Sequence, residues 1–355
     1  MVHSIASSGH RSLFAIYAIL LMFGVYIFPS GLVQPIHLVL ALYFLLWITV
    51  SRFVLSVPSL SVPWMIFLAY VAIHGVVAGV IYNSNASEFL VSSIQSVFCL
   101  LTLFLSLEFH QSKFQWTSLR WPILAVFLSC WSFFLFGWGG FNYYPRYNGF
   151  LNDPNQYAYY VINLLAYAVL FGKGLSRLVC IALGLFLVAV SMSRSGLVAF
   201  ATMVLVLYPM LALPMLLVGV VVLFGIALAE VEVFDRLLGS DLFFELWQRG
   251  FYRLVEFPEF LLLGAGKGFD ERFGYGHLEV HSTPVAVLFY FGVVGLALYL
   301  SGIMTLLAKC RDRRLVAMVL ALLSYGLTTY NLRTPITWWS LGLIISFASI
   351  KDRHD

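Results

Sequence analysis

The chain predicts an all-α, polytopic membrane protein of about twelve transmembrane helices, with one large polar loop between the ninth and the tenth. Three observations lead there. Hydrophobic residues make up 61% of the 355 positions and charged residues 10%, with a mean hydropathy of +0.94, which is more apolar surface than a soluble core can hide. The apolar residues are gathered into runs of roughly seventeen or more positions without Lys, Arg, Asp or Glu, each able to cross a hydrocarbon core of about 30 Å at 1.5 Å per residue. Only two connections are long and polar, 139–154 and 231–282.

The elements follow in order. The first apolar run, 13–51, begins after Arg11 and is divided by Pro29-Ser30-Gly31 into helices expected at 13–28 and 32–50. No small-residue cleavage pattern follows the first of these, so it reads as a retained helix and not as a removed signal peptide. A third helix, 62–82, closes at Tyr82-Asn83-Ser84-Asn85; a fourth spans 88–107 and a fifth 121–138. Asn152-Asp153-Pro154-Asn155 is a strong turn and helix-start signal, with Asp153 or Asn152 as the cap and Pro154 in the first turn of a sixth helix, 155–172. The seventh spans 175–192. The apolar run 195–229 is split between Tyr208-Pro209 and Pro214 into helices at 195–210 and 213–230. After the polar loop come 283–307, 314–331 and 335–350. Residues 1–355 thus read as a single membrane domain, with 231–282 inserted between helices nine and ten.

Charge placement orients the chain. With the N-terminus in the cytoplasm, the cytoplasmic segments hold twelve of the 20 Lys and Arg but four of the 16 Asp and Glu, as expected when cations are retained inside. Both termini are then cytoplasmic and both long loops extracytoplasmic. The pI near 8.8 is a membrane-orientation signal and implies no nucleic acid partner. Cys99, Cys130 and Cys180 fall in expected helices and Cys310 at a cytoplasmic end, so they read as core residues and not as a disulfide framework.

Arginines on the outer face run against this bias, and an anion is the obvious reason for them. Arg194, in Ser191-Met192-Ser193-Arg194-Ser195-Gly196, sits at or just beneath the outer interface, where an unpaired guanidinium is costly. It either snorkels to lipid headgroups or offers its planar fork to phosphate oxygens. Arg146 has no local duty, which points to a ligand or to an acidic partner from the large loop. Asp153 has a sufficient role as a cap. Within the loop, Leu242, Leu246, Phe251, Leu254 and Val255 at helical spacing predict an amphipathic surface helix. Arg249 and Arg253, at i and i+4, would share one face of it, to hold a pyrophosphate or to pair with Glu245 and Glu256. Gly264 and Gly266, in Gly264-Ala265-Gly266-Lys267-Gly268, fit neither nucleotide-loop spacing and read as a tight, close-approaching turn. His281 opens the tenth helix, where packing needs no imidazole, and can accept a proton from a hydroxyl or hydrogen-bond a phosphate. His277 and His281 lack a clustered third ligand, so no metal site is expected.

Four pieces in this order resemble the O-antigen ligase and Wzy-type O-antigen polymerase superfamily of bacterial inner-membrane glycosyltransferases. They are Arg146-x-x-Gly149-x-x-x-Asp153-Pro154-Asn155, Ser193-Arg194-Ser195-Gly196, Gly264-x-Gly266, and His281-Ser282-Thr283 followed by Phe291-Gly292-Val293-Val294-Gly295-Leu296. The resemblance covers 146–302 best. It implies a GT-C-like membrane fold, a periplasmic active site and a glycan donor carried on undecaprenyl pyrophosphate. In the family the residues corresponding to Arg194, to His281 and to a loop arginine, here Arg249 or Arg253, are functional. The family commonly has His-Asn where this chain has His281-Ser282, and the stretch from Pro258 to Gly264 is longer than usual.

The expected reaction needs neither metal nor cofactor. A sugar hydroxyl attacks the anomeric carbon of the donor, arginines stabilise the departing pyrophosphate, and His281 takes the acceptor proton or steadies the phosphate. Arg146, Arg194, Arg249 and Arg253 are the candidate donor-binding residues, with Asp153, Asn155, Gly264 and Gly266 positioning them. The expected partners are the lipid-linked donor, a glycan or lipid-linked acceptor, membrane lipids and other polysaccharide-assembly proteins. The compact chain favours a polymerase over a ligase that transfers glycan to a lipid A core. A transporter or flippase is the alternative of another class, disfavoured because the expected helices carry essentially no charge away from their ends.

Overall fold

The computed structural model describes residues 14–28, 33–50, 57–81, 86–111, 119–140, 145–211, 246–268, 270–274 and 279–351. Among the described residues the architecture is helical, with isolated bridges and no named strand. The helices are α1 (14–22), α2 (Pro35–Val50), α3 (Val62–Ile81), α4 (Ala86–Gln111), α5 (Arg120–Leu135), α6 (Pro154–Phe171), α7 (Gly174–Val190) and α8 (Arg194–Leu207). After the polar stretch come two single turns, α9 (Arg253–Glu256) and α10 (Phe260–Leu263), and then α11 (Thr283–Lys309), α12 (Arg313–Gly326) and α13 (Pro335–Lys351). Every helix expected from sequence has a counterpart except the ninth, 213–230, which lies outside the described residues together with 231–245.

Three helices are long and apolar enough to cross a membrane among the described residues, at Ser59–Ile81, Ala86–His110 and Thr283–Lys309. Several others, including those at Arg120–Leu135 and Gly174–Val190, are apolar but shorter. The structure is thus consistent with a membrane protein, with fewer long spans than the twelve expected. Buried side chains from α1 to α13 form one continuous cluster. Its centre is α6, buried on nearly every side from Tyr157 to Phe171, as befits a helix that is apolar all round. Asp153 proves to be the cap of α6: its Oδ1 accepts from the Asn155 and Gln156 amides at 2.6 and 3.3 Å, and Pro154 follows in the first turn. Around this axis α12 packs along α8, α4 packs against both α3 and α13, and α11 packs on α3.

The Gly264-x-Gly266 turn has a definite physical task. α11 is broken at Gly292, whose φ of 68° and ψ of −173° are not helical, and this costs the carbonyls of the preceding turn their usual partners. The amides of Ala265 and Gly266 replace them, donating to Phe289 O and Tyr290 O at 2.9 Å. So close an approach requires glycine: a Cβ on Gly264, at φ +90°, would lie 2.5 Å from Tyr290 O. The Tyr70 hydroxyl donates to Phe291 O at 2.9 Å, and His74 Nε2 meets Leu263 O at 2.7 Å. A broken apolar helix is thus resatisfied by protein groups, the condition under which irregular backbone is tolerated at membrane depth.

Two sequence expectations are corrected. The amphipathic surface helix is not continuous: its described part is a π-helical turn, Trp247–Phe251, broken inside by Gly250 at φ 85°, and the separate turn α9. Its residues 242–245 lie outside the described residues. The helix expected to run to 331 ends at Gly326, because Thr328, Thr329 and Asn331 take partners on α8 and at the start of α11 instead of continuing the helical ladder.

Candidate functional site

The start of α6, the start of α8, the segment after α12 and the entry to α11 converge through one chain of hydrogen bonds. It begins at Arg146, whose Nη2 donates to Asn155 Oδ1 at 3.0 Å and whose Nε donates to Ser191 O at 3.2 Å. The same Asn155 oxygen accepts from the Ser193 hydroxyl at 2.9 Å, and the Asn155 carbonyl accepts from Tyr325 at 2.5 Å. Ser193 caps α8 through its contact with the Gly196 amide, which makes Arg194 the first residue of that helix. The Thr328 hydroxyl donates to Ser195 Oγ at 2.5 Å, and the Thr328 carbonyl accepts from Arg249 Nη1 at 3.1 Å. The Arg249 carbonyl in turn accepts from the His281 amide at 2.9 Å. Residues 135 positions apart are linked without leaving hydrogen-bond distance.

His281 precedes α11 and presents an exposed side chain. The surrounding protein lowers its pKa from the ordinary value by desolvation. Glu279 and Asp153 pull the other way, while Arg249 and Arg333 add to the lowering. The imidazole is therefore neutral at neutral pH and able to accept a proton. Glu279 is itself held below the usual carboxylate range: burial would raise it, but Lys267, Arg333, His281 and Arg253 outweigh burial. It is ion-paired with Arg333 at 2.6 Å.

Arg194 is partly exposed at the first turn of α8, where the positive end of the helix dipole disfavours a cation and favours an anion. A guanidinium held there adds to that positive end, and an anion bound beside it would satisfy both. Arg146 reaches neutral acceptors on the 191 turn and α6 in addition to any charged neighbour.

The two loop arginines, inseparable in sequence, have different surroundings. Arg253 is fully buried, with Nη1 donating to Asp270 at 2.8 Å and to the Tyr290 hydroxyl at 2.9 Å, and with its guanidinium over the Phe273 ring at 5.0 Å. Its carboxylate partner on the loop is Asp270, a residue the sequence did not single out. The kink at Gly250 breaks the helical register, so the i, i+4 pair does not lie on one helix face. Arg249 belongs to the chain that leads to His281; Arg253 belongs to the packing of the loop against α11.

Sequence reasoning missed Thr328, Tyr325, Glu279 and Arg333. The signal was present in Thr328-Thr329-Tyr330-Asn331-Leu332-Arg333-Thr334, a polar stretch between two apolar runs. Among the described residues no three metal-ligating side chains converge, and His277 lies outside them. No protein-family model matches the chain, and no curated protein matches it.

Proposed function

We propose that the chain is a glycosyltransferase of the bacterial inner membrane, joining undecaprenyl-pyrophosphate-linked oligosaccharides on the periplasmic face as a polysaccharide polymerase. The supporting observation is the hydrogen-bonded chain that gathers Arg146, Asn155, Ser193, Ser195, Arg249 and His281, which are dispersed over 136 residues, into one place. Its chemistry suits the reaction. A neutral imidazole takes the acceptor hydroxyl proton as the new C–O bond forms and the anomeric bond to the pyrophosphate breaks. Arg194, Arg146 and Arg249 stabilise the charge that develops on the leaving pyrophosphate. A helical, GT-C-like arrangement of about twelve spans would place the polyprenyl tail among the apolar helices, and the polar stretch would close over the reaction centre.

Alanine at Arg194 or at His281 should abolish glycan transfer while leaving the amount of protein in the membrane unchanged. Normal surface glycan from either variant would refute the assignment. A deletion strain distinguishes the two transfer reactions on a gel: single repeat units on the cell surface mark a lost polymerase, and long chains retained on the carrier lipid mark a lost ligase.

A further inference from the structure

Beside this site lies a second polar feature that the transfer reaction does not use. Lys267, directly after the close-approach turn 264–266, is 8% exposed and lines a partly open cleft between α3, α4 and the segment 330–333. Its ammonium lies 4.3 Å from the centre of the Tyr330 ring, and among the described residues it has no hydrogen-bond or ion-pair partner. The acids nearby are shared with other cations: Glu279 pairs with Arg333 at 2.6 Å and Asp270 with Arg253 at 2.8 Å, and both also act on Lys267 from further away. Arg333 also lines the cleft, so Lys267, Arg333 and Glu279 together leave one uncompensated positive charge. A buried cation whose nearest acid, Glu279, is shared with Arg333 is costly, and a monoanion would neutralise it.

The rest of the lining indicates which monoanion. Ser92 and Gln95 face the cleft with side chains that make no hydrogen bond to the protein among the described residues, and Trp338 and Tyr330 add aromatic surface. The Ser92 hydroxyl and the Gln95 amide can each donate to a carboxylate oxygen, and the single excess charge suits a carboxylate better than a phosphate dianion. The cleft, with about 20 Å³ of space, has room for one small group and not for a whole ring. Glu279, which ties Arg333 in place, is two residues from His281, so cleft and candidate site share one segment.

We infer that the Lys267 cleft is a subsite for the carboxylate of an acidic sugar, making a uronic-acid-containing glycan the substrate class; this rests on the glycan-transfer reading. Burial pushes the Lys267 ammonium down to about 8, with Arg333 adding to the lowering and Glu279, Asp270 and Cys99 opposing it. Carboxylate binding therefore weakens as pH rises above that value.

The experiment uses the purified full-length chain in detergent at pH 7 and follows thermal unfolding against added sodium D-glucuronate, D-glucose or inorganic phosphate. Glucuronate should give a saturable rise in Tm and glucose none. Lys267→Met should weaken glucuronate binding at least tenfold, Lys267→Arg should retain it, and Gln95→Ala, a milder change that keeps the charge, should weaken it severalfold. The subsite is overturned by the absence of a saturable glucuronate effect, by an equal effect of glucose, by a phosphate effect in place of the glucuronate effect, or by undiminished binding in Lys267→Met. The two readings fail separately. Transfer that depends on His281 in a chain that binds no glucuronate removes the subsite alone; glucuronate binding in a chain that transfers nothing removes the transfer reading alone.

Discussion

At His281 the direction of the pKa shift fixes a pH dependence. The imidazole is held below its ordinary value of 6.5, so a role as proton acceptor is available at neutral pH and is lost as pH falls through the lowered pKa. Glycan transfer should therefore stay level from pH 8 to below 6.5 and then decline on the acid side, as measured by initial rates with saturating donor; a decline that begins above pH 7 would contradict the assignment. Lys267 carries the opposite charge logic. Its folded pKa, about 8, is lower than the ordinary 10.5, so the unfolded chain binds more protons between those values and stability rises with pH across that window. Below pH 8 the buried ammonium is a full burden. Lys267→Met should raise stability at pH 7 by on the order of 2–3 kcal/mol, and that gap should narrow as pH approaches 10. Thermal unfolding of both proteins at the two pH values measures it, and a gap independent of pH would mean that the ammonium is solvated.

The short elements of the polar stretch separate two arginines that spacing alone makes equivalent. Arg253 anchors α9 to α11 through Asp270 and Tyr290, so Arg253→Ala removes a fully buried guanidinium from the partly buried Asp270 carboxylate and should cost about 3–5 kcal/mol of stability. Arg249 is half-buried and bonds to a backbone carbonyl. Arg249→Ala should leave unfolding within about 1 kcal/mol and lower transfer about 10²-fold or more. Unfolding and transfer measured on both variants test the pair, and the reverse pattern would exchange their roles. The reason sequence could not choose lies in Gly250: its left-handed conformation ends the register on which an i, i+4 argument depends. Elsewhere local signals were sufficient. Asp-Pro-Asn specified the cap of α6 because all its partners lie within three residues, and the two glycines of 264–266 specified a close approach because only a missing Cβ admits it. What they approach, a break at Gly292, is a contact across the fold, and hydrophobic periodicity does not report it.

Across the whole molecule, helix positions were legible because long apolar runs have few alternatives, whereas their number as membrane crossings depends on where the chain turns. α12 illustrates the difference: it stops at Gly326 so that the polar residues after it can join α8 and α11, and no apolar count registers that exchange. The charge bias nonetheless makes a topological prediction independent of helix count. Lys173, exposed between α6 and α7, belongs to the cation-rich side, and Glu259, exposed before α10, belongs to the side that carries the candidate site. The four native cysteines are buried and form no disulfide, which gives a low background for labelling. In intact cells stripped of their outer membrane, Glu259→Cys should react with a membrane-impermeant maleimide, and Lys173→Cys should react only after permeabilisation. A lipid-linked donor meets its acceptor on one face of the membrane, so this result bears on the mechanism as well as on the topology. Labelling of Lys173→Cys from outside, with Glu259→Cys protected, would put His281 and its arginines on the cytoplasmic face, and the periplasmic transfer reaction would have to be abandoned.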